Sequence, residues 1–202
     1  MEENLINTYK KGNQTLKIYQ DDLSDNNRSD WDNLGTITAF HKKYNLSDED
    51  GKLNSDEFNS FDELKTYLIE DKKALNIMPL YLFDHSGLSI STTPFTCRWD
   101  SGQIGFIYTT KEQIKLMGVD KKDINKQLIQ EIKTYDEILK GEVYGFTLTE
   151  TEEVKIVSIY KDRTITTETT EEKDLESCFG FIGNDGYKSI LEDNGFKGVD
   201  EE

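Results

Sequence analysis

MPLYLFDHSGLSISTTPFTCRWDSGQIGFIYTT, residues 78–110, is the stretch whose reading decides the fold. Its two ends, 78–83 and 104–108, are apolar and aromatic runs of strand length, rich in the residue types that suit a pleated, packed surface. They predict two buried strands. Between them lies a Gly, Ser, Thr and Pro segment that holds the pair Asp84-His85, Ser86, Cys97, Trp99 and Asp100. A polar loop held between rigid strands is a common place for recognition or chemistry.

Working outward, TLKIY (15–19) and TITAF (36–40) alternate well enough to be strands, and residues 1–14 read as a loose lead-in. Residues 20–33 are polar and acid-rich, with Trp31 as the expected anchor. Ser60 with Glu63 three residues on predicts a capped helix running to about Leu75. Downstream, Thr110 with Gln113 predicts a short helix over 111–117 ended by Gly118, and Asp120 opens a longer one over 121–140 that Gly141 stops. Residues 142–149 and 154–160 read as two strands joined by an acidic turn. The Thr and Glu run 164–174 fits either an exposed strand extension or a mobile loop. A last strand is expected at 177–182, a short helix at 184–194, and an acidic tail at 198–202. Strands fall in groups, not in alternation with helices. The expected fold is therefore a single α+β domain over 1–202, with a mostly antiparallel sheet and three to four helices on one face.

Charge bounds the function. The chain has 24 Lys and Arg against 40 Asp and Glu, a formal net charge of −16, yet 11% of it is aromatic, which argues for a folded protein over an acidic disordered one. Such a field repels nucleic acid and anionic membrane and attracts basic surfaces. No apolar run approaches the roughly 20 residues that span a bilayer, and the start lacks a signal-peptide pattern, so a cytoplasmic protein is expected. Two cysteines cannot make a disulfide framework, and their spacing to His41 and His85 is not that of structural zinc. No cofactor is expected.

The remaining motifs are weak. Residues 46–57 approach a calcium-binding EF-hand loop, with Asp48, Asp50, Gly51 and Glu57 in register, but Leu46 stands where the first carboxylate belongs. Asp84-His85-Ser86-Gly87 supplies the material of nucleophilic catalysis, but neighbours on a strand point to opposite faces, and a turn closed by Gly87 is the plainer reading. If their strand ends converge, Asp32, Asp84, Asp100, His41 and His85 can hold a divalent metal. Glycines 102, 105, 141, 145, 180 and 183 mark bulges or close approaches, or openings for a flat ligand among Trp99, Phe106, Tyr108, Tyr144 and Phe181. There is no P-loop, dinucleotide fingerprint or basic aromatic stripe, so neither nucleotide hydrolysis nor direct nucleic-acid binding is expected.

TLKIYQDD, WDNLGTITAFHKKYNLSD, MPLYLFDHSG, STTPFTCRWDSGQIGFIY, YDEILKGEVYGF and SCFGF together resemble a family of small acidic proteins carried by phages, plasmids and integrative elements of Gram-positive bacteria. The resemblance covers most of the chain. It departs at 151–176, which is longer here, and at Phe179, where Trp is expected. It implies a mobile-element accessory protein in a bacterial cytoplasm and carries over no activity or catalytic residue.

Charge and context point first to an anti-defence protein, anti-CRISPR or anti-restriction, that offers carboxylates to a basic host nuclease or CRISPR effector as a mimic of DNA. Its expected surface is Asp21, Asp22, Asp25, Asp30, Trp31, Asp32, Asp48, Glu49 and Asp50. The alternative is a protein that binds or degrades a nucleotide signal, with its site at His41, Asp84, His85, Ser86, Trp99 and Asp100. A conjugation or replication accessory protein is a third reading. No catalytic residue and no metal site is assigned, and an enzyme is not the expected class.

Overall fold

The two apolar runs of 78–110 are neighbouring antiparallel strands at the centre of a four-stranded sheet. This is seen in a computed structural model, which describes residues 4–21, 28, 31–48 and 53–202. In chain order the elements are β1 (Leu5–Lys11), β2 (Gln14–Gln20), β3 (Thr36–Ala39), α1 (Phe61–Glu70), β4 (Ala74–Asp84), β5 (Leu88–Ser91), β6 (Ser101–Thr110), α2 (Lys111–Met117), α3 (Ile124–Leu139), β7 (Val143–Ile159), β8 (Thr164–Ile182) and α4 (Gly183–Asp193). All strand pairs are antiparallel, and the α+β expectation holds. The strands form two sheets, and the chain divides into two compact units, Met1–Leu23 with Gly141–Glu202, and Ser24–Lys140.

The Ser24–Lys140 unit carries the sheet β3-β6-β4-β5. Side chains alternate across a strand. Phe106 and Tyr108 of β6 therefore pack with Leu64 and Leu68 of α1, while Ile107 joins Leu80 and Leu82 beneath Leu128 and Ile132 of α3. Helices thus cover both faces of this sheet. At Gly105 the β3 backbone leaves no room for a side chain: a Cβ there would stand 2.0 Å from the carbonyl oxygen of Thr38. The Ser60 hydroxyl accepts from the Glu63 amide at 3.2 Å, as capping requires. The Glu63 carboxylate accepts instead from the Asn59 amide at 2.8 Å. α1 ends at Glu70, short of expectation, and Leu75 is an exposed residue of β4. The Thr110–Gln113 capping box forms, and Gly118 closes α2 in the left-handed conformation. α3 begins at Ile124, not at 121.

The other unit carries the sheet β1-β2-β7-β8, with α4 against it. Tyr9, Leu16, Ile18, Phe146 and Leu148 close on Ile190 and Phe196 to make its core. Part of the expected lead-in is strand β1, paired with β2 through residues 5–11. The acidic end is tied back to it: the Glu202 amide donates to the Thr8 carbonyl at 3.0 Å, and the Tyr9 hydroxyl to Glu201 Oε1 at 3.1 Å. The acids at 150–153 do not form a turn. They run inside β7, which continues to Ile159, and 164–174 is strand, so the expected last strand is the end of β8. Among the described residues no helix is long and apolar enough to cross a membrane.

Candidate functional site

Strand direction gathers the polar residues of 78–110. β3 and β4 each run antiparallel to β6, so the end of β3, the end of β4 and the start of β6 share one edge of the sheet. There they line an open cleft of about 500 Å³. Leu82, Ile104 and Phe40 supply its apolar surface, and His41, Lys42, Lys43, Asp84, Trp99, Asp100, Ser101 and Gln103 its polar and aromatic lining.

Several of the polar groups are paired. Lys43 Nζ donates to Asp84 Oδ2 at 3.1 Å, and the Tyr44 hydroxyl donates to Oδ1 at 3.4 Å. The Lys43 hydrogen bond holds the Asp84 carboxyl below the usual carboxylate range, and the same contact raises the Lys43 ammonium. His41 stacks on Tyr44 with ring centroids 5.1 Å apart, and its Nδ1 accepts from the Lys43 amide at 3.4 Å. That leaves Nε2–H as the ring's remaining donor. Asp100 Oδ2 accepts from the Cys97 thiol at 3.3 Å and lies 3.6 Å from His85 Nδ1. The Asp100 carbonyl accepts from the Asp84 amide at 2.8 Å. Trp99 is 95% exposed.

His41, Asp84, Trp99 and Asp100 of the alternative site therefore come together, with His85 joined through Asp100. Ser86 does not line the cleft; it is exposed in the β4–β5 turn at φ 55°, where it serves the chain reversal beside Gly87. Asp32 is exposed before β3, four strand residues or roughly 13 Å from His41's end, so it does not join them. Among the described residues no group of His, Cys, Asp or Glu has metal-binding geometry. The two cysteines also fall in different units. Of the suggested aromatic walls, Phe106 and Tyr108 belong to the α1 core, and Tyr144 and Phe181 pack toward α4.

The acidic surface expected at the first half of the chain is described only in part. Asp22, Asp25, Asp30, Glu49 and Asp50 lie outside the described residues. Asp48 is turned inward: its Oδ2 accepts from Arg28 Nη1 and from the Ile37 amide, both at 2.7 Å. Leu46 is buried in the α3 core, so the calcium-loop register is occupied by a core residue and an internal carboxylate. Asp21 accepts from the Gly180 amide at 3.0 Å, and Trp31 is half-buried. Arg28, 3% exposed, was not foreseen from sequence; an arginine alone in an acid-rich loop carries no periodicity to mark it.

A second acidic surface is explicit. β2 pairs with β7 only as far as Glu150, so residues 151–159 and 164–172 form a two-stranded ribbon, about 30 Å long, with no third strand among the described residues. From 150 to 176 it carries nine acidic and four basic residues. Its side chains are exposed almost throughout. Lys155 and Glu168 pair at 2.8 Å, but Glu152 stands directly opposite Glu171. Ile156, Val157, Ile159, Tyr160 and Ile165 are exposed alongside.

Two antiparallel sheets with packed helices define an α+β protein with an open cleft in one unit and an acidic ribbon in the other. Comparison with protein-family models, curated proteins and solved structures returned no match.

Proposed function

We propose that this chain is a mobile-element accessory protein that binds a basic, nucleic-acid-binding host protein, a nuclease or CRISPR effector, with carboxylates in place of DNA phosphates. The observation that carries the reading is Glu152 facing Glu171 on an exposed ribbon. Like charges directly opposite on paired strands are unfavourable, and a cationic partner relieves them. The acidic ribbon is the contact surface proposed here, and of the acids in the 20–63 segment Asp48 is turned to Arg28.

Two further features fit. β8 is the edge of its sheet along all of its 19 residues, so its outer backbone groups are open to a strand from a partner. Exposed Ile156, Val157 and Tyr160 supply apolar anchors among the acids, as interface centres require.

The test is capture from host lysate at low and high salt, followed by elution with duplex DNA. A nucleic-acid-binding protein retained at low salt, released by DNA and lost when Glu152, Glu153, Glu171 and Glu172 are changed to Lys supports the reading. Retention that survives the four changes overturns it.

A further inference from the structure

We infer that the cleft at the ends of β3, β4 and β6 binds a nucleoside phosphate, with the base stacked on Trp99 and the phosphate held by Lys42 and His41. This site is in the Ser24–Lys140 unit and the ribbon is in the other, so each reading can fail alone.

The first support is Trp99. An indole is among the largest apolar groups a chain can bury, yet this one is 95% exposed beside a cleft lined by Leu82 and Ile104, which are 3% and 5% exposed. A slack loop does not account for it. Phe95 packs on Phe83 with centroids 5.6 Å apart, the Ser101 hydroxyl donates to the Cys97 carbonyl, and the Asp84 amide donates to the Asp100 carbonyl at 2.8 Å. The backbone on both sides of Trp99 is fixed, and the ring is presented to solvent. A flat base is the occupant that such a face favours.

The second support is the charge pattern. The Lys43 charge is answered by Asp84. Lys42 has no ion-pair partner among the described residues, in a protein of net charge −16, and it lines the cleft next to His41. With Nδ1 accepting from the Lys43 amide, His41 retains an Nε2–H donor. A cation and an N–H donor suit a phosphate, which the Asp84 carboxylate keeps at the Lys42 side. Asp100 and Gln103 then offer an acceptor and an amide to the amino and hydroxyl groups of base and ribose. A neutral sugar leaves Lys42 unanswered, and inorganic phosphate leaves Trp99 unused.

The test is a titration of the full chain with AMP, GMP, CMP and UMP, with adenosine and ribose 5-phosphate as halves, following the two indole N–H signals by NMR. The Trp99 signal is assigned by its loss in Trp99→Phe. The inference expects at least one nucleotide to saturate the Trp99 signal and to bind at least tenfold tighter than either half. It expects Trp99→Ala and Lys42→Ala each to weaken binding about tenfold with the melting temperature unchanged, since both side chains are exposed. Binding of adenosine or of ribose 5-phosphate as tight as the nucleotide overturns it, as does absence of saturable binding for all four nucleotides at millimolar concentration.

Discussion

The Arg28 guanidinium lies 2.8 Å from the Glu131 carboxylate inside the Ser24–Lys140 unit, joining the segment before β3 to the middle of α3. Glu131 also accepts from the Leu34 and Gly35 amides at 2.8 and 3.0 Å, and Asp48 takes the other arm of the guanidinium. One cation thus pins two loops and a helix. Removing it leaves two largely buried carboxylates without their partner, so Arg28→Ala is expected to cost about 3–5 kcal/mol in urea denaturation. Arg28→Lys keeps the charge but cannot fork to both acids, and it should fall between.

Burial pushes the Glu131 carboxyl above the ordinary glutamate range, against the opposing pull of the two amides and Arg28. A carboxyl with a raised native pKa binds more protons folded than unfolded in the window between the two values. There its contribution to stability rises as pH falls. The margin of wild type over Glu131→Gln should widen as pH drops from above the native pKa toward about 4.3. A margin that narrows on acidification would show that the Arg28 pair outweighs the burial.

Gly105 has the clearest steric requirement in the β3–β6 pair. Its missing Cβ is the space taken by the Thr38 carbonyl, and backbone cannot swing aside as a side chain tip can. Gly105→Ala should force β3 away from β6 and lower stability by about 2 kcal/mol or more, read as a shift in the denaturation midpoint at unchanged m-value. Gly102, with nothing within 4 Å of its would-be Cβ, is the matched control and should tolerate Ala.

In the other unit, Tyr187 shares hydrogen bonds with Tyr9 at 2.9 Å and Asn7 at 2.6 Å. Burial raises the Tyr187 phenol well beyond its ordinary range. Tyr187→Phe should cost about 1 kcal/mol by thermal melting, the usual worth of such a bond. Spectrophotometric titration should find this phenol still protonated when exposed tyrosines have ionised.

The β4 and β6 strands were legible because apolar runs bounded by turn residues carry the burial signal directly, and Ser60, Thr110 and Gly118 because capping chemistry is local. The ribbon was legible in part: 154–160 read as strand and 164–174 as one of two readings, but the continuity through 150–153 was hidden, because Glu152 and Glu153 sit where the strand is exposed on both faces and no alternation separates strand from turn. β1 was hidden for a related reason: only Tyr9 of its seven residues is fully buried. The cleft was half legible. Sequence placed His41, Asp84 and Asp100 at strand ends, but only the antiparallel order of β3, β6 and β4 brings those ends to one edge and sends Asp32 to the other.

Glu171→Lys offers a test in which stability and binding move in opposite directions. It replaces a like-charge pair with Glu152 by an attractive one, so the ribbon should become more protected in amide hydrogen exchange while the acidic surface loses charge.

The most direct measurement of the central claim is the affinity of the captured host protein for wild type and for the Glu152, Glu153, Glu171 and Glu172 to Lys variant, at two salt concentrations with duplex DNA as competitor. The acidic-ribbon account predicts binding that weakens with salt, that DNA displaces, and that the variant loses by at least tenfold. Equal affinity of the two proteins, or a complex that DNA does not displace, would contradict it.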